Sequence, residues 1–300
     1  MAPAKSVVIT GASTVIGAAC ALHLDQLGWR VFAGVRRQAD AETLRARASE
    51  RLTPIALDVA DTVSISTAGI AVAGAVGQAG LGGLVNNAGI VVPGPIEILP
   101  LPDLRRQLEI NVIGQVAVTQ AFLPPIRVAR GRIVNMGSIA GRMATPFTGA
   151  YGASKFALEA LTDALRLELA PWGISVSIIE PGAVATPIWE KSAKTAEATL
   201  GGVPAESFAL YADAIQAVRK TAEHAAKNAV DPIEVARAVE HALTAARPRT
   251  RYVIGREAKI RAAMALLVPD RLRDRLVAKA MRLPKAALSD APRAGEGAWG

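Results

Sequence analysis

The chain has 300 residues, of which 51% are hydrophobic and 20% are charged, and this balance is typical of a protein with a large folded core. It excludes a disordered chain, and the single cysteine, Cys20, excludes an intrachain disulfide. The formal net charge of +8 leaves three classes of partner open: nucleic acid, an anionic membrane or a phosphorylated cofactor.

The clustered basic residues lie late in the chain, within 247–251 and 271–275. They are not interleaved with the aromatic side chains on which single-stranded nucleic acid stacks, so we expect no nucleic acid partner. The N-terminus leads directly into a strand without the apolar core of a signal peptide. No window approaches about 18 uninterrupted apolar residues, so the sequence predicts a cytoplasmic protein without a spanning segment.

The first 35 residues predict a strand, a glycine-containing turn, a helix and a second strand. The apolar run 6–10 stops at Gly11, and Gly17 opens a helical pattern that continues to Leu27. Such a junction directs free N–H groups and the positive end of the helix dipole to one place. It is therefore a candidate anion site, although glycine is also common at strand–helix junctions that bind nothing.

Arg36 and Arg37 follow the second predicted strand, where dinucleotide-binding folds contact the adenosine ribose. An acidic residue there favours NAD, and this chain has none. A guanidinium can pair with a 2′-phosphate, so the sequence predicts NADP, with NAD as the alternative. Two solvent-exposed arginines that bind no ligand at the start of a helix would give the same sequence pattern.

Strands and helices alternate through the rest of the chain. Predicted strands end at Asp58, at the amide and small residues 86–89, at Met136 and at Glu180, and a last strand lies at 251–254. The main predicted helices cover about 62–78, 102–126, 148–170 and 232–245. This alternation predicts an α/β fold, a Rossmann-like doubly wound parallel sheet of about seven strands with helices on both faces.

Polar residues gather at one edge of this predicted sheet. Gly11, Arg36, Asp58, Asn87, Ser138 and Pro181 all fall at strand carboxyl ends, where such sheets bind ligands. Tyr151 and Lys155 lie four residues apart near the start of a long helix, so their side chains share a face. A serine hydroxyl facing them would form a site for moving a proton on and off oxygen. Asn111, a poor choice for a helix interior, suggests a further polar role or a solvent-facing position.

Several motifs in this order resemble those of the short-chain dehydrogenase/reductase family over residues 5–255. The matching segments are 10–17, Asp58-Val59, Asn86-Asn87-Ala88-Gly89, Asn111, Ser138, Tyr151-Gly-Ala-Ser-Lys155 and Pro181-Gly182 with Thr186. Within that family the chain is most similar to enzymes acting on hydroxysteroids, retinoids and other apolar alcohols or ketones.

The resemblance implies a catalytic set of four residues and no metal. Tyr151 would be the general acid/base, and Lys155 would favour its phenolate and hold the nicotinamide ribose. Ser138 would hydrogen-bond the substrate oxygen, and Asn111 would anchor a water behind Lys155. The implied cofactor contacts are Gly11, Ser13, Ile16, Gly17, Arg36, Asp58, Val59, Asn87, Tyr151, Lys155, Pro181, Gly182, Val184 and Thr186.

Val15 departs from the family pattern, which usually has glycine at this position. Because that glycine lets the backbone approach the pyrophosphate, a β-branched residue there could weaken binding or tilt the turn. We expect cofactor binding to survive, since every catalytic position is present.

Apolar residues are expected to form the substrate pocket. They are Val91, Val92, Pro93, Met143, Phe147 and the segment 183–211, within a loop of about 183–230 that breaks the regular alternation. These residues could equally pack between loop and sheet.

The predicted organisation is a catalytic domain over 1–255, a helical extension over 256–285 and a flexible tail over 286–300. The extension has the pattern of two amphipathic helices, which could cover the pocket, form a subunit contact or rest on an anionic membrane. We expect them to pack against the protein.

The expected function is hydride transfer between NADP(H) or NAD(H) and an apolar secondary alcohol or ketone, in a homodimer or homotetramer. The rival from another class is a non-catalytic redox sensor that binds the nicotinamide cofactor.

Overall fold

The computed structural model describes residues 5–13, 15–185, 206, 210–217, 229–281 and 283. The strands are β1 (Ser6–Ile9), β2 (Arg30–Val35), β3 (Leu52–Ala56), β4 (Gly83–Asn86), β5 (Arg132–Met136), β6 (Ser175–Pro181) and β7 (Arg251–Ile254). The main helices are α1 (Val15–Gln26), α2 (Gln38–Arg45), α3 (Thr62–Val76), α4 (Leu101–Leu108), α5 (Gly114–Ala129), α6 (Gly149–Leu169), α7 (Pro232–Thr244), α8 (Arg256–Leu267) and α9 (Asp270–Ala280).

The seven strands form one parallel sheet in the order β3-β2-β1-β4-β5-β6-β7. The chain moves outward in one direction from β1 to β3 and in the other from β4 to β7. The order therefore reverses between β1 and β4, which opens a crevice beyond the carboxyl ends of these two strands. The prediction of a Rossmann-like doubly wound sheet followed by C-terminal helices is confirmed.

Each face of the sheet is covered by its own hydrophobic layer. Val7 and Ile9 of β1 point to the layer that contains α1 and α7, whereas Val8 between them points to the layer of α3 and α5. All three side chains have no exposed surface. Successive strand residues thus bury opposite faces, which explains why the strands read as continuous apolar runs.

Two helical stretches, Thr62–Ala79 and Leu101–Ala129, are long and apolar enough to cross a membrane by length and composition alone. Each buries one side against the sheet layer, through residues such as Ile65 of α3 and Phe122 of α5. Core helices commonly have this composition, and the absence of a spanning segment stays a prediction.

The single helix expected over 102–126 is interrupted. A π-helical turn, Glu109–Ile113, separates α4 from α5 and contains Asn111. Such turns are rare and often occur at functional sites. In β3, the strand ends at Ala56 rather than at Asp58, so the carboxylate lies in the following loop.

Candidate active site

The turn between β1 and α1 requires glycine at two positions. Gly11 has a φ of +63°, and a Cβ there would lie 2.9 Å from the Ala88 Cα. A Cβ on Gly17 would lie 2.3 Å from the Gly11 carbonyl oxygen. Val15 is the first residue of α1 and is partly buried. The tight backbone contacts are therefore made at Gly11 and Gly17, and the helix begins at Val15 despite its branched side chain.

Asn87, just beyond β4, fixes this turn from the neighbouring strand. Its Nδ2 donates to the carbonyl oxygens of Thr10 and Gly11 at 3.0 and 3.1 Å. The Thr10 hydroxyl accepts the backbone N–H groups of Asn87 and Ala88, both at 2.9 Å. Asn87 donates both of its amide hydrogens to the turn, so only its side-chain carbonyl oxygen can bind a ligand.

Arg36 and Arg37 have different surroundings at the end of β2. Arg37 makes two hydrogen bonds to the Asp40 carboxylate, at 2.9 and 2.8 Å. Arg36 is exposed, and no ion pair to it is found within the described part of the chain. Arg36 is thus the guanidinium available at this edge of the sheet.

Asp58 and Val59 lie in the loop after β3. The Asp58 Oδ1 accepts the Ala60 N–H at 3.0 Å, which shapes the loop and leaves the second carboxylate oxygen for another partner. Val59 is 5% exposed and packs in the α3–α5 layer. Ser13 is exposed and Ile16 is partly buried beside the glycine turn.

Ser138, Tyr151 and Lys155 meet at the carboxyl end of β5. Ser138 follows the strand, and its hydroxyl lies close enough to the Tyr151 phenol, in the first turn of α6, to lower the pKa of that phenol. One helical turn later, the Lys155 Nζ donates to the Met136 carbonyl at 2.6 Å and lies 5.6 Å from the centroid of the Tyr151 ring. The predicted hydroxyl, phenol and ammonium therefore share one neighbourhood.

The burial of these groups changes their proton affinities. Desolvation lowers the pKa of Lys155 to about 8, and the nearby Glu159 carboxylate opposes this change. Burial raises the pKa of Tyr151, while the hydrogen bond from Ser138 acts in the opposite direction. Tyr151 is thus a protonated phenol at neutral pH, and its ionisation needs positive charge nearby.

Asn111 is fully buried in the π-helical turn, and both of its amide hydrogens are donated within the protein. Its Oδ1 accepts the Ile90 N–H at 2.8 Å, and its Nδ2 donates to the Ile90 carbonyl at 3.0 Å and to the Ser154 Oγ at 3.1 Å. Ser154 donates in turn to the Tyr151 carbonyl at 2.7 Å. The side chain of Asn111 therefore connects the loop after β4 to the first turn of α6.

The end of β6 forms the far side of the crevice. Pro181 is the last residue of β6, and Gly182 donates its N–H to the Ile254 carbonyl at 3.0 Å. Val184 forms a parallel bridge with Val230. Thr186 lies outside the described residues, as does most of the predicted substrate loop.

A sequence model of the family described as "short chain dehydrogenase" matches residues 5–197. Human retinol dehydrogenase 5 is 40% identical over 288 residues, which cover 94% of this chain and 90% of the relative. Human 17-beta-hydroxysteroid dehydrogenase type 6 is 37% identical over 298 residues, with coverages of 95% and 91%.

The solved structure of a short-chain dehydrogenase from Streptomyces avermitilis superposes with a TM-score of 0.72 at 29% identity, covering 91% of this chain and 94% of that one. The chain belongs to the short-chain dehydrogenase family. It is therefore an NAD(P)-dependent oxidoreductase, similar to retinol and hydroxysteroid dehydrogenases.

The crevice of this dehydrogenase fits a dinucleotide. The first turn of α1 leaves backbone N–H groups without partners in the helix. Gly11 before this helix and Gly17 in its first turn have no side chain to fill the space beside them. Arg36 lies exposed at the next strand. Within the described residues, no three His, Cys, Asp or Glu side chains group as a metal site.

A buried ionic cluster lies behind the catalytic centre of the dehydrogenase, and the sequence analysis missed it. Glu180 of β6 has no exposed side-chain surface and contacts Arg142 Nε at 2.6 Å and Arg251 Nε at 3.5 Å. The same Arg251 Nε donates to Glu159 of α6 at 3.1 Å. Burial and Glu180 together raise the pKa of Glu159 to about 7. A glutamate at the end of an apolar strand is the signal that could have revealed this cluster.

The described part of the substrate region centres on Phe147, a non-glycine residue with a φ of +65°. Its carbonyl accepts the Gly94 N–H at 2.8 Å. Its ring meets that of Tyr211 edge-on, with centroids 6.1 Å apart, and the Tyr211 hydroxyl bonds to Glu97. Tyr211, in a described part of the predicted substrate loop, thus contacts Phe147.

Other residues predicted for the pocket are packed more deeply. Val92 and Met143 are 1% and 6% exposed, and Val92 packs against Leu99 and Ala150. Val91 and Pro93 flank Val92 in the same loop, and both are partly exposed. This loop therefore has a packing role alongside any contact with substrate.

Proposed function

We propose that this dehydrogenase interconverts an apolar secondary alcohol and its ketone, or a related alcohol and aldehyde, with NADP(H), and that Tyr151 moves the proton. The observation that carries the proposal is the position of the buried Lys155 ammonium, 5.6 Å from the centroid of the Tyr151 ring at the end of the strand that Ser138 follows. These groups lie at the carboxyl edge of the sheet, where the nucleotide crevice ends.

The chain's own residues supply binding, orientation and proton transfer. The glycine turn and α1 would hold the phosphates, and the bound nicotinamide supplies the hydride chemistry. During alcohol oxidation, the Tyr151 phenolate takes the hydroxyl proton; in the reverse direction, the phenol returns it. Ser138 donates a hydrogen bond to the substrate oxygen, and the Lys155 charge offsets the burial that disfavours phenolate.

Arg36 supports NADP over NAD. Its guanidinium is exposed beside the position expected for the adenosine ribose, whereas Arg37 is already paired with Asp40. A guanidinium can bind a 2′-phosphate through two hydrogen bonds, and no carboxylate occupies the position that selects NAD.

An apolar substrate agrees with the aromatic contact of Phe147 and Tyr211. Retinol and 17-beta-hydroxysteroid appear in the names of relatives at 40% and 37% identity, so retinoids and steroids are the first substrates to test. These enzyme names give no support to the non-catalytic redox sensor. A cytoplasmic location and a homodimer or homotetramer stay predictions.

The test is a nicotinamide-absorbance screen of steroid, retinoid, terpene and aliphatic alcohols with both cofactors. We expect turnover with an apolar secondary alcohol and NADP. Tyr151→Phe should lose turnover by about 10²–10⁴-fold and keep cofactor binding, measured by titration of the intrinsic fluorescence. Full activity in this variant, or cofactor binding by the wild type without turnover of any apolar alcohol or ketone, would contradict the proposal.

A further inference from the structure

The C-terminal helices expose several large apolar side chains. Leu266 and Leu267, at the end of α8, have 81% and 75% of their surface exposed. Ile260 of α8 and Leu272 and Leu276 of α9 are exposed as well. We call these five residues the C-terminal apolar surface. No residue of α9 is fully buried, so the expected packing of this helix against the protein is only partial.

Basic side chains flank this surface at helical spacing. One face of α8 contains two basic and three apolar residues, because their spacings are three, four and seven. They are Arg256, Lys259, Ile260, Leu266 and Leu267. On α9, Arg271 and Arg275 form the row beside Leu272 and Leu276. The cations and leucines of each helix thus lie side by side.

The charge of this region is a large part of the charge of the whole protein. Residues 256–281 hold seven basic and three acidic residues, a net charge of +4, half of the +8 of the chain. An apolar surface that served only as a contact between two copies of this chain would bring two such positive regions together. That like-charge contact is unfavourable, and it argues against a second copy as the occupant.

We propose that the C-terminal apolar surface docks on an anionic phospholipid bilayer. Leucines that enter the boundary between headgroups and acyl chains lose water contact, and the neighbouring arginines and lysines attract anionic headgroups. Nucleic acid would use the cations but gain nothing from exposed leucines. The combination of both features favours a lipid surface.

The docked helices lie next to the loop between Ser138 and Tyr151. α9 contributes Arg273 and Val277 to a cavity of about 370 Å³ whose other wall includes Met143, Pro146 and Phe156. From α8, Arg261 donates to the Thr145 Oγ1 at 2.7 Å. Docking would therefore bring the loop beside the active site close to the bilayer. An apolar substrate dissolved in the bilayer would then have a short path to the site, and this part of the inference rests on the proposed function.

The test is co-sedimentation of the full-length protein with two kinds of vesicle, phosphatidylcholine alone and phosphatidylcholine mixed with phosphatidylglycerol. We expect binding to the anionic vesicles at low salt and a loss at about 1 M NaCl, where screening confines the attraction to about 3 Å. Leu266→Asp with Leu267→Asp should weaken partitioning by about tenfold or more, because two apolar contacts are lost. Val63→Asp with Ile70→Asp, at two sites on α3 that are 70% and 75% exposed, is the matched control with the same change of charge and should bind like the wild type.

Arg271→Glu with Arg275→Glu should also weaken vesicle binding by about tenfold or more, because the charge beside the leucines is reversed. Arg45→Glu with Arg47→Glu, which makes the same change of charge elsewhere, should have a smaller effect. Equal pelleting with both vesicle types, no pelleting, or a leucine variant that changes only the oligomeric state in size-exclusion chromatography would each overturn the proposal. Vesicle binding needs no substrate, so its failure is separate from failure of the proposed reaction.

Discussion

The Lys155 ammonium donates a hydrogen bond of 2.6 Å to the carbonyl of Met136, the last residue of β5. This bond attaches α6 to the central sheet and directs the ammonium behind the ring of Tyr151. Lys155 is only 4% exposed, and burial lowers its pKa to about 8. At neutral pH the protein therefore holds a desolvated cation, which costs stability, in a position where it supports the phenolate.

Lys155→Met should make the protein more stable but inactive. At pH 7 we expect the free energy of unfolding to rise by about 1–2 kcal/mol, because the burial cost of the charge exceeds the lost hydrogen bond. Above about pH 8 the wild-type amine is neutral when folded but still binds a proton when unfolded, so wild-type stability rises with pH. The difference between variant and wild type should then shrink.

Urea unfolding of both proteins at pH 7 and pH 9, without cofactor, measures this effect. Lys259→Met replaces an exposed lysine on α8 and should leave stability within about 0.5 kcal/mol of the wild type. A Lys155→Met protein that is less stable than wild type at pH 7, or whose advantage grows with pH, would refute the argument.

Glu159 should set the alkaline limit of activity. Its carboxylate follows Lys155 by one helical turn and raises the pKa of that lysine. Because the pKa of Glu159 is about 7, the carboxylate is ionised in the range where Lys155 begins to lose its proton. In Glu159→Gln, Lys155 should become neutral at a lower pH, and the support for the Tyr151 phenolate should fail earlier.

The measurement is the dependence of kcat on pH with the best substrate from the absorbance screen. We expect the alkaline limb of the Glu159→Gln profile to move down by up to about one pH unit. Glu168→Gln, which changes an exposed residue of the same helix, should keep the wild-type profile. Superimposable profiles for wild type and Glu159→Gln would show that the carboxylate does not act on Lys155.

The sequence predicted the sheet well because its signal is local: each strand is an apolar run that ends at a polar or glycine residue. It did not predict the Glu159–Glu180–Arg142–Arg251 cluster, because its members come from four separate parts of the chain and only Glu180, at the end of an apolar strand, has an unusual position. The π-helical turn at Asn111 was missed because one extra residue per turn leaves almost no trace in the apolar pattern. Likewise, Asn87 has the predicted position, but its amide is spent on the turn between β1 and α1.

The choice between the two nicotinamide cofactors should depend on Arg36. Its exposed guanidinium has no ion pair among the residues that the structure describes, so it can pair with a 2′-phosphate. Arg36→Ala should lower kcat/KM with NADP by about 10–100-fold and change kcat/KM with NAD by less than about threefold. Arg37→Ala is the control, since Arg37 is bound to Asp40, and it should affect both cofactors little. Equal losses with both cofactors in Arg36→Ala would assign this arginine a role unrelated to the 2′-phosphate.

Substitution of glycine by alanine should have opposite effects on stability at Gly17, in the glycine turn, and at Gly74, on α3. A Cβ on Gly17 would lie 2.3 Å from the Gly11 carbonyl and 2.6 Å from the Asn87 Nδ2, and both groups are fixed by the bonds that shape the turn. Gly17→Ala should therefore displace the turn, destabilise the fold by about 2 kcal/mol or more and abolish cofactor binding. Gly74, on the exposed side of α3, has no atom within 4 Å of its added Cβ. Gly74→Ala should instead stabilise the protein by up to about 1 kcal/mol, because alanine favours helix.

Val15→Gly tests the departure of this chain from the family pattern at the start of α1. If the turn depends on Gly11 and Gly17 alone, this change should keep cofactor affinity within about threefold of wild type and cost stability by up to about 1 kcal/mol, because glycine disfavours helix. Thermal unfolding and cofactor titration of the three variants separate these effects. A large gain in affinity for Val15→Gly would mean that the valine itself holds the backbone away from the pyrophosphate, since no other contact of the turn changes in that variant.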